Sequence, residues 1–140
     1  MSTVESTTGV RTLANYVAGA WAAPTTSDSI PDIDPATGEA VAHVPLSNAD
    51  DVHAAVAASR AAQSDWAAVS PQARARAVMA LREALWGRRD DLARLVCEDM
   101  GKTIDDAAGE VLRGIESTEA ATAIPQLMKG EGLEGVATGV

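Results

Sequence analysis

The sequence is poor in the residues that build large hydrophobic cores. Its 140 residues contain no phenylalanine, and only 3% of them are aromatic. Alanine occurs 29 times, whereas leucine, isoleucine and valine together number 27. As a share of the chain, leucine, isoleucine, valine and phenylalanine together lie just below the roughly 20% that, with a high net charge, is typical of disordered chains. The sequence therefore predicts a thin core, and its length favours a single domain.

Four further features argue against broad classes of protein. No apolar run approaches the roughly 18 residues that cross a bilayer, and the first ten residues lack the basic and apolar regions of a signal peptide. The single cysteine, Cys97, excludes a disulfide framework and a cysteine-based zinc cluster. The net charge of −9 disfavours a nucleic-acid partner. We therefore expect a soluble, cytoplasmic and mostly helical protein with no membrane partner.

The first third of the chain predicts short strands. Residues 1–13 are rich in serine and threonine without a period, and we expect a disordered tail there. Residues 14–46 carry aromatic and β-branched residues around two turns, at Ala18-Gly19 and at Asp34-Pro35-Ala36-Thr37-Gly38. Four short strands are predicted around these turns, the last over residues 39–44.

A helical period then predicts four helices within residues 47–125. The expected helix boundaries carry side-chain caps, a proline or a glycine. These boundary residues are Ser47 with Asp50, Ser70 with Pro71, Gly101, Thr103 with Asp106, and Pro125. Residues 126–140 hold four glycines without a period and are expected to be loose. The order predicts an α+β fold that is mainly helical.

Two glycine-containing stretches match nucleotide-binding motifs without the context that those motifs require. Gly130 to Gly135 fits the dinucleotide pattern but follows a predicted helix rather than a strand. Gly101-Lys102-Thr103 resembles the end of a P-loop, yet Val96 stands where that loop needs a glycine. We interpret both as connections, and no cofactor-binding residue is assigned.

Few side chains are candidates for chemistry. Cys97 adjoins Val96 on a predicted helix with neither histidine near in sequence, which favours a packed small hydrophobe over a nucleophile. His43 and His53 lack a third ligand at zinc spacing. The arginines between residues 74 and 94 are interspersed with acids and are expected on a solvated helix face. No catalytic residue is assigned.

Arg113 is the strongest candidate for a binding residue. It lies between Gly109 and Gly114, and small residues beside an arginine let a ligand approach closely. The planar arginine fork suits a carboxylate. Two interpretations stay open: an ion pair within the chain, which composition favours, and a contact with a ligand.

Taken in order, several segments resemble the N-terminal part of the aldehyde dehydrogenase superfamily. They are Asn15–Trp21, Asp34–Glu39, Asp50–Trp66, Arg74–Leu85 and Glu98–Thr103. Two more, Gly109–Glu116 and Ala123–Glu131, are similar to the CoA-acylating methylmalonate-semialdehyde dehydrogenases. The resemblance covers residues 14–140 and about the first quarter of a typical family member.

The resemblance implies part of an α/β fold whose helices, within residues 47–125, lie at the periphery of an NAD-binding domain. It implies an enzyme that oxidises a malonate-type semialdehyde with NAD, passes the acyl group to CoA, and is a homo-oligomer at full length. In that subfamily an arginine corresponding to Arg113 holds the substrate carboxylate. Some family members bind a structural monovalent cation, which would lie here between Asp99 and the carbonyl groups of Asp32 and Ile33.

The resemblance also implies what these residues lack. Family members use a cysteine nucleophile, a glutamate, an asparagine and a cofactor loop, and all of these correspond to positions beyond residue 140. Cys97 matches a helix position of the family rather than the nucleophile. We therefore expect a truncated dehydrogenase that is inactive alone. A self-sufficient helical interaction module and one half of a split enzyme are the alternatives.

Overall fold

The computed structural model describes residues 10–132 of the chain, as short strands followed by helices. The strands are β1 (Arg11–Thr12), β2 (Asn15–Val17), β3 (Ala20–Ala22), β4 (Ser29–Ile33) and β5 (Ala40–Pro45). The helices are α1 (Ala49–Ala68), α2 (Pro71–Gly87), α3 (Arg89–Met100), α4 (Ile104–Ala121) and α5 (Ile124–Leu127). The prediction of a mainly helical α+β fold is confirmed.

The strands form a three-stranded sheet and a separate hairpin. β5 lies at the centre of the sheet, antiparallel to β4 and parallel to β1, and its residue Ala42 is fully buried. β2 and β3 pair antiparallel around Ala18 and Gly19, whose φ angles are 52° and 81°. Two successive positive φ angles are typical of the tight turns that match the twist of a hairpin. The predicted hairpin is confirmed.

The expected tail ends earlier than residue 13. Arg11 and Thr12 form β1 in register with Ala42 and His43, and the Leu13 N–H donates to the His43 carbonyl at 2.9 Å. Two residues are too few to show a strand period, and the central strand β5 supplies the hydrogen bonds that order them. Residues 1–9, the rest of the predicted tail, lie outside the described residues.

The first helix begins one residue later than predicted. Asn48, not Ser47, is the N-cap, because its side chain accepts from the Asp50 and Asp51 N–H groups while Asp51 accepts from the Asn48 N–H at 3.1 Å. Ser47 instead exchanges hydrogen bonds with Asn15 of β2, the shorter at 2.8 Å. Ser47 and Asn48 each have an aspartate three residues later, so the local sequence allows a capping box at either position. The hydrogen bonds of Ser47 with the hairpin leave Asn48 as the cap.

Two of the other helices, α2 and α4, start at the predicted caps. The Ser70 hydroxyl accepts from the Ala73 N–H, and Pro71 is the first residue of α2. The Thr103 hydroxyl accepts from the Asp106 N–H at the start of α4. Each hydroxyl satisfies a backbone donor that has no partner within its helix.

The last long helix stops before Pro125. α4 ends at Ala121, and the Thr122 hydroxyl donates to the Glu119 carbonyl at 2.7 Å. Pro125 lies in the first turn of the short helix α5, where its missing N–H leaves no bond unmade. Part of the end predicted to be loose, residues 126–127, is therefore helical; residues 133–140 lie outside the described residues.

The core of the described residues is as thin as the composition predicts. Its fully buried hydrophobic residues are Ala42, Ala93, Ala107 and Ile115. α4 is the central helix, since it packs against both α3 and α2, and it carries Ala107 and Ile115. The small alanine side chains let helix backbones approach closely, but each buries little apolar area.

Much apolar surface remains exposed. Eighteen large hydrophobic side chains of the described residues are exposed, among them Val52, Val56 and Trp66 of α1. No residue of α1 is buried along its 20 residues. None of the helices in residues 10–132 combines the length and apolar character needed to cross a membrane.

We expect the isolated 140-residue chain to unfold without a sharp transition and to bind a hydrophobic dye. Burying a leucine or valine side chain contributes about 1.5–3 kcal/mol, and a core made largely of alanine provides few such contributions toward the usual margin of about 5–15 kcal/mol. Thermal circular dichroism and dye fluorescence measure this. Val56→Ser with Trp66→Ser should reduce dye binding, whereas Arg60→Ser on the same helix should not. A sharp unfolding transition of a monomer would contradict the expectation.

Candidate functional site

The candidate site lies at the junction of α3 and α4. Gly101 ends α3 with a φ of 64°, and its N–H donates to the Cys97 carbonyl at 2.8 Å. A Cβ atom at this position would lie 2.8 Å from Pro35 Cγ. Only glycine combines this conformation with this approach. The turn at residues 34–38 is therefore in direct contact with the end of α3.

That turn is held by its own hydrogen bonds. The Asp34 carboxylate accepts from the Ala36 N–H at 2.8 Å and from the Thr37 hydroxyl at 3.1 Å. The Gly38 N–H donates to the Asp34 carbonyl at 2.8 Å. These bonds account for Asp34 without a metal ion.

The three residues considered for a cation lie on the two segments that meet at Gly101. Asp99 is exposed in the last turn of α3, beside an apolar groove of about 430 Å³ between α3 and α4. Asp32 and Ile33 end β4, immediately before the turn. Within residues 10–132, no three histidine, cysteine or acidic side chains are grouped to hold a metal ion. A cation here would therefore depend on backbone carbonyl groups.

Arg113 lies on α4 with its side chain directed back over the preceding turn. Its Nη1 atom is 4.0 Å from the position that a Cβ would occupy at Gly109. This direction follows from the tilt of helix side chains toward the N-terminus. Arg113 is exposed, and a Cβ at Gly114 would meet nothing within 4 Å.

The ion pair that composition favoured for Arg113 is not formed by the described residues. Among residues 10–132, no carboxylate oxygen lies within 4.0 Å of its guanidinium nitrogens. Its N–H donors therefore face solvent and can donate hydrogen bonds to the carboxylate of a ligand.

An ion pair that sequence reasoning missed lies one turn away. Lys102, between Gly101 and the cap Thr103, donates to the Glu110 carboxylate. Both side chains are half-buried, 33% and 42% exposed. The hydrogen bond and the charge of Lys102 hold the pKa of Glu110 below its ordinary value, Arg113 adds a smaller effect in the same direction, and desolvation opposes them. The pair spans a helix start, so no helical spacing reveals it.

The prediction of a solvated helix face is wrong for Arg82. Its side chain is 24% exposed, bonds Glu119 of α4 at 3.3 Å and Glu83 at 2.9 Å, and lies 5.0 Å from the Trp86 ring centre. Arg89 lies at the same distance from that ring. Cation–π contacts of this kind contribute about 0.5–1 kcal/mol at exposed sites. The Arg82–Glu119 ion pair joins α2 to α4, and the contact of Arg89 with Trp86 joins α3 to α2.

The remaining candidates show no catalytic arrangement. Cys97 is half-buried on α3, His43 lies on β5 and His53 on α1. Gly130 and Gly132 follow the helix α5 rather than a strand, and Gly135 lies outside the described residues. The described residues therefore offer no strand, glycine loop and helix in the order that a dinucleotide requires.

We expect Gly101→Ala to lower the temperature at which the helical circular dichroism signal is lost. A left-handed alanine costs about 1–2 kcal/mol, and its Cβ would also collide with Pro35. Adding Pro35→Ala should restore only the part of the lost thermal stability that the collision causes. The control is Gly87→Ala, since a Cβ there meets nothing within 4 Å and no positive φ is required. Equal effects of the two glycine substitutions would refute this explanation.

We expect a carbon-13 NMR titration to give Glu110 a pKa below the ordinary value of about 4.3. Because the folded-state pKa is the lower one, the stabilisation by ionised Glu110 is complete above the ordinary value and is lost as the pH falls through the folded-state value. Lys102→Met should return the pKa toward the ordinary value. Lys129→Met, which removes a lysine elsewhere, should leave it lowered. A wild-type pKa at or above the ordinary value would contradict the ion pair.

Comparison with known proteins places these features in a family. The sequence profile of the aldehyde dehydrogenase family matches residues 21–139. Malonate-semialdehyde dehydrogenase 2 of Shouchella clausii is 44% identical over 135 residues, which are 96% of this chain and 28% of that protein. The chain thus spans little more than a quarter of the length of this relative.

Solved structures agree over the same region. A candidate methylmalonate-semialdehyde dehydrogenase of Sinorhizobium meliloti 1021, in complex with NAD, matches with a TM-score of 0.84 and 38% identity over 93% of this chain and 26% of that one. The methylmalonate-semialdehyde dehydrogenase of Oceanimonas doudoroffii gives 0.82 and 33% over 90% of this chain and 26% of that one. With a family profile that matches nearly the whole sequence and a fold shared with these enzymes, the chain belongs to the aldehyde dehydrogenase family.

Proposed function

We propose that the chain is the N-terminal region of an NAD-dependent dehydrogenase that oxidises malonate or methylmalonate semialdehyde. Such a substrate has an aldehyde at one end and a carboxylate at the other. The observation that carries the proposal is Arg113, whose exposed guanidinium has no carboxylate within 4.0 Å among residues 10–132. The names of the similar proteins support the same substrate class.

In this proposal Arg113 binds the substrate carboxylate and thereby orients the aldehyde. Its planar fork can donate two parallel hydrogen bonds, which fix the direction of the substrate as well as its position. Gly109 leaves the space beside the guanidinium open. The site would then prefer acidic aldehydes to uncharged ones of similar size.

NAD would accept the hydride and CoA the acyl group. The NAD-bound relative supports the first, and the subfamily resemblance of residues 109–116 and 123–131 supports the second. Residues 10–132 offer no fit for a dinucleotide, so we assign them no step that involves it. Cys97 is half-buried within α3, and we assign it no nucleophilic role. We therefore expect these 140 residues alone to reduce no NAD.

We also propose a structural role for the two segments that meet at Gly101. Asp99 would bind a monovalent cation together with the carbonyl groups of Asp32 and Ile33. The support is the close approach of Pro35 to Gly101, which brings the end of β4 toward the end of α3. The helices of residues 47–125 would lie at the periphery of the NAD-binding domain.

The proposal extends to the oligomeric state and the location of the whole enzyme. We propose a homo-oligomer of the cytoplasm that acts on small molecules. The net charge of −9 favours neither nucleic acid nor an anionic membrane surface as a partner.

We expect Arg113→Ala in the whole enzyme to raise the KM for malonate semialdehyde about 10- to 150-fold, because hydrogen bonds to a charged group contribute about 1.5–3 kcal/mol. The KM for propanal, which has no carboxylate, should not change. Steady-state kinetics with both aldehydes measures this. Arg94→Ala is the matched control, since Arg94 is exposed on α3 and bonds Asp91. An equal loss with both aldehydes would exclude carboxylate recognition by Arg113.

A further inference from the structure

An acidic residue precedes Arg113 at the spacing of a helical ion pair, but Arg113 does not pair with it. Glu110 precedes it by three residues on α4, and a glutamate N-terminal to a basic residue at helical spacing is the favourable order for an ion pair. The Arg113 side chain also lies toward this turn, since its Nη1 is 4.0 Å from the Cβ position of Gly109. The Glu110 carboxylate nevertheless accepts from Lys102.

We propose that Lys102 keeps Arg113 available for a substrate carboxylate by engaging Glu110, the acid that would otherwise compete for the guanidinium. The inference rests on the proposed function of Arg113. Lys102 is a positioning residue here: it contacts Glu110 rather than the substrate.

Glu110 is the relevant competitor on this helix. Glu116 is also three residues from Arg113 but lies on its C-terminal side, which is the less favourable order for a pair. The guanidinium is directed the other way, over Gly109. A Cβ at Gly109 would lie at ordinary van der Waals distance from it.

Lys102 is well placed to hold Glu110. It lies between two fixed residues: Gly101 in contact with Pro35, and the cap Thr103 bonded to Asp106. Its backbone therefore has little freedom, and its half-buried ammonium is less screened by water than a fully exposed one. The lowered pKa of Glu110, caused mainly by Lys102 and only to a smaller degree by Arg113, agrees with this partnership.

The arrangement also determines the local charge. Lys102 offsets the negative charge of Glu110, so the positive charge of Arg113 stays available to an anionic substrate. Without Lys102, Glu110 and Arg113 would neutralise each other. The lysine therefore contributes to selectivity for acidic aldehydes without touching them.

The first test measures access to Arg113 without turnover. Phenylglyoxal, a neutral reagent, modifies accessible arginines, and mass spectrometry of the peptide that contains Arg113 gives the rate in the full-length protein. Lys102→Met should slow this rate about twofold, the effect of one helical ion pair. Adding Glu110→Gln should restore the wild-type rate. Lys129→Met, the matched control, should leave it unchanged.

Two outcomes would overturn the inference: an unchanged rate in Lys102→Met with wild-type circular dichroism, or no restoration in the double variant. Glu110→Gln alone provides a check if Lys102→Met loses helical structure. It removes the competitor, so Arg113 should react at least as fast as in wild type, and slower reaction would also overturn the inference.

Kinetics of the whole enzyme separates this inference from the proposed function. Lys102→Met should raise the KM for malonate semialdehyde at least about twofold, with kcat and the KM for propanal unchanged, and Glu110→Gln should reverse the change. A wild-type enzyme that does not oxidise the semialdehyde would refute the proposed function, while the modification rates would still decide the role of Lys102.

Discussion

The close approach of Pro35 to Gly101 is the constraint on which the candidate site depends. It joins a turn that follows β4 to the residue that ends α3, and it tolerates no side chain at Gly101. Lys102 and the cap Thr103 follow Gly101 directly in the chain. This contact therefore fixes where α4 starts. A loop that changed direction here without such contact would leave Lys102 free to move. The position of Lys102 therefore depends first on the packing of the Pro35 ring against Gly101 and then on its ion pair with Glu110.

Packing elsewhere in the described residues is sparse, and polar contacts contribute much of the order. α4 is central among the helices, yet Ile115 is its one large buried side chain. Arg82 of α2 adds an ion pair to Glu119, which joins α2 to α4 without a large core. The apolar face of α1 remains exposed. The chain thus has the secondary structure of its family over this region with only a small core of its own.

Two bases, Lys102 and Arg113, lie near the Glu110 carboxylate of α4. Glu110 is paired with a lysine from outside the helix, although an arginine stands at helical spacing on the helix itself. A local rule therefore favours one pair, and the tertiary structure forms another. The result is an arginine whose donors face solvent at an open glycine. This arrangement suits recognition of a carboxylate, because the cost of removing the guanidinium from an existing partner does not arise.

The sequence by itself determined the features that depend on neighbouring residues: the hairpin turn at Ala18 and Gly19, the caps of α2 and α4, and the glycine that ends α3. Each is decided by the φ preference or hydrogen bonds of a few consecutive residues. Tertiary structure decided the rest. Asn48 replaced Ser47 as a cap because Ser47 bonds the hairpin, and β1 exists because β5 pairs with it. Partners distant in sequence likewise determined which acid Lys102 engages, since no local spacing encodes a contact across a helix start.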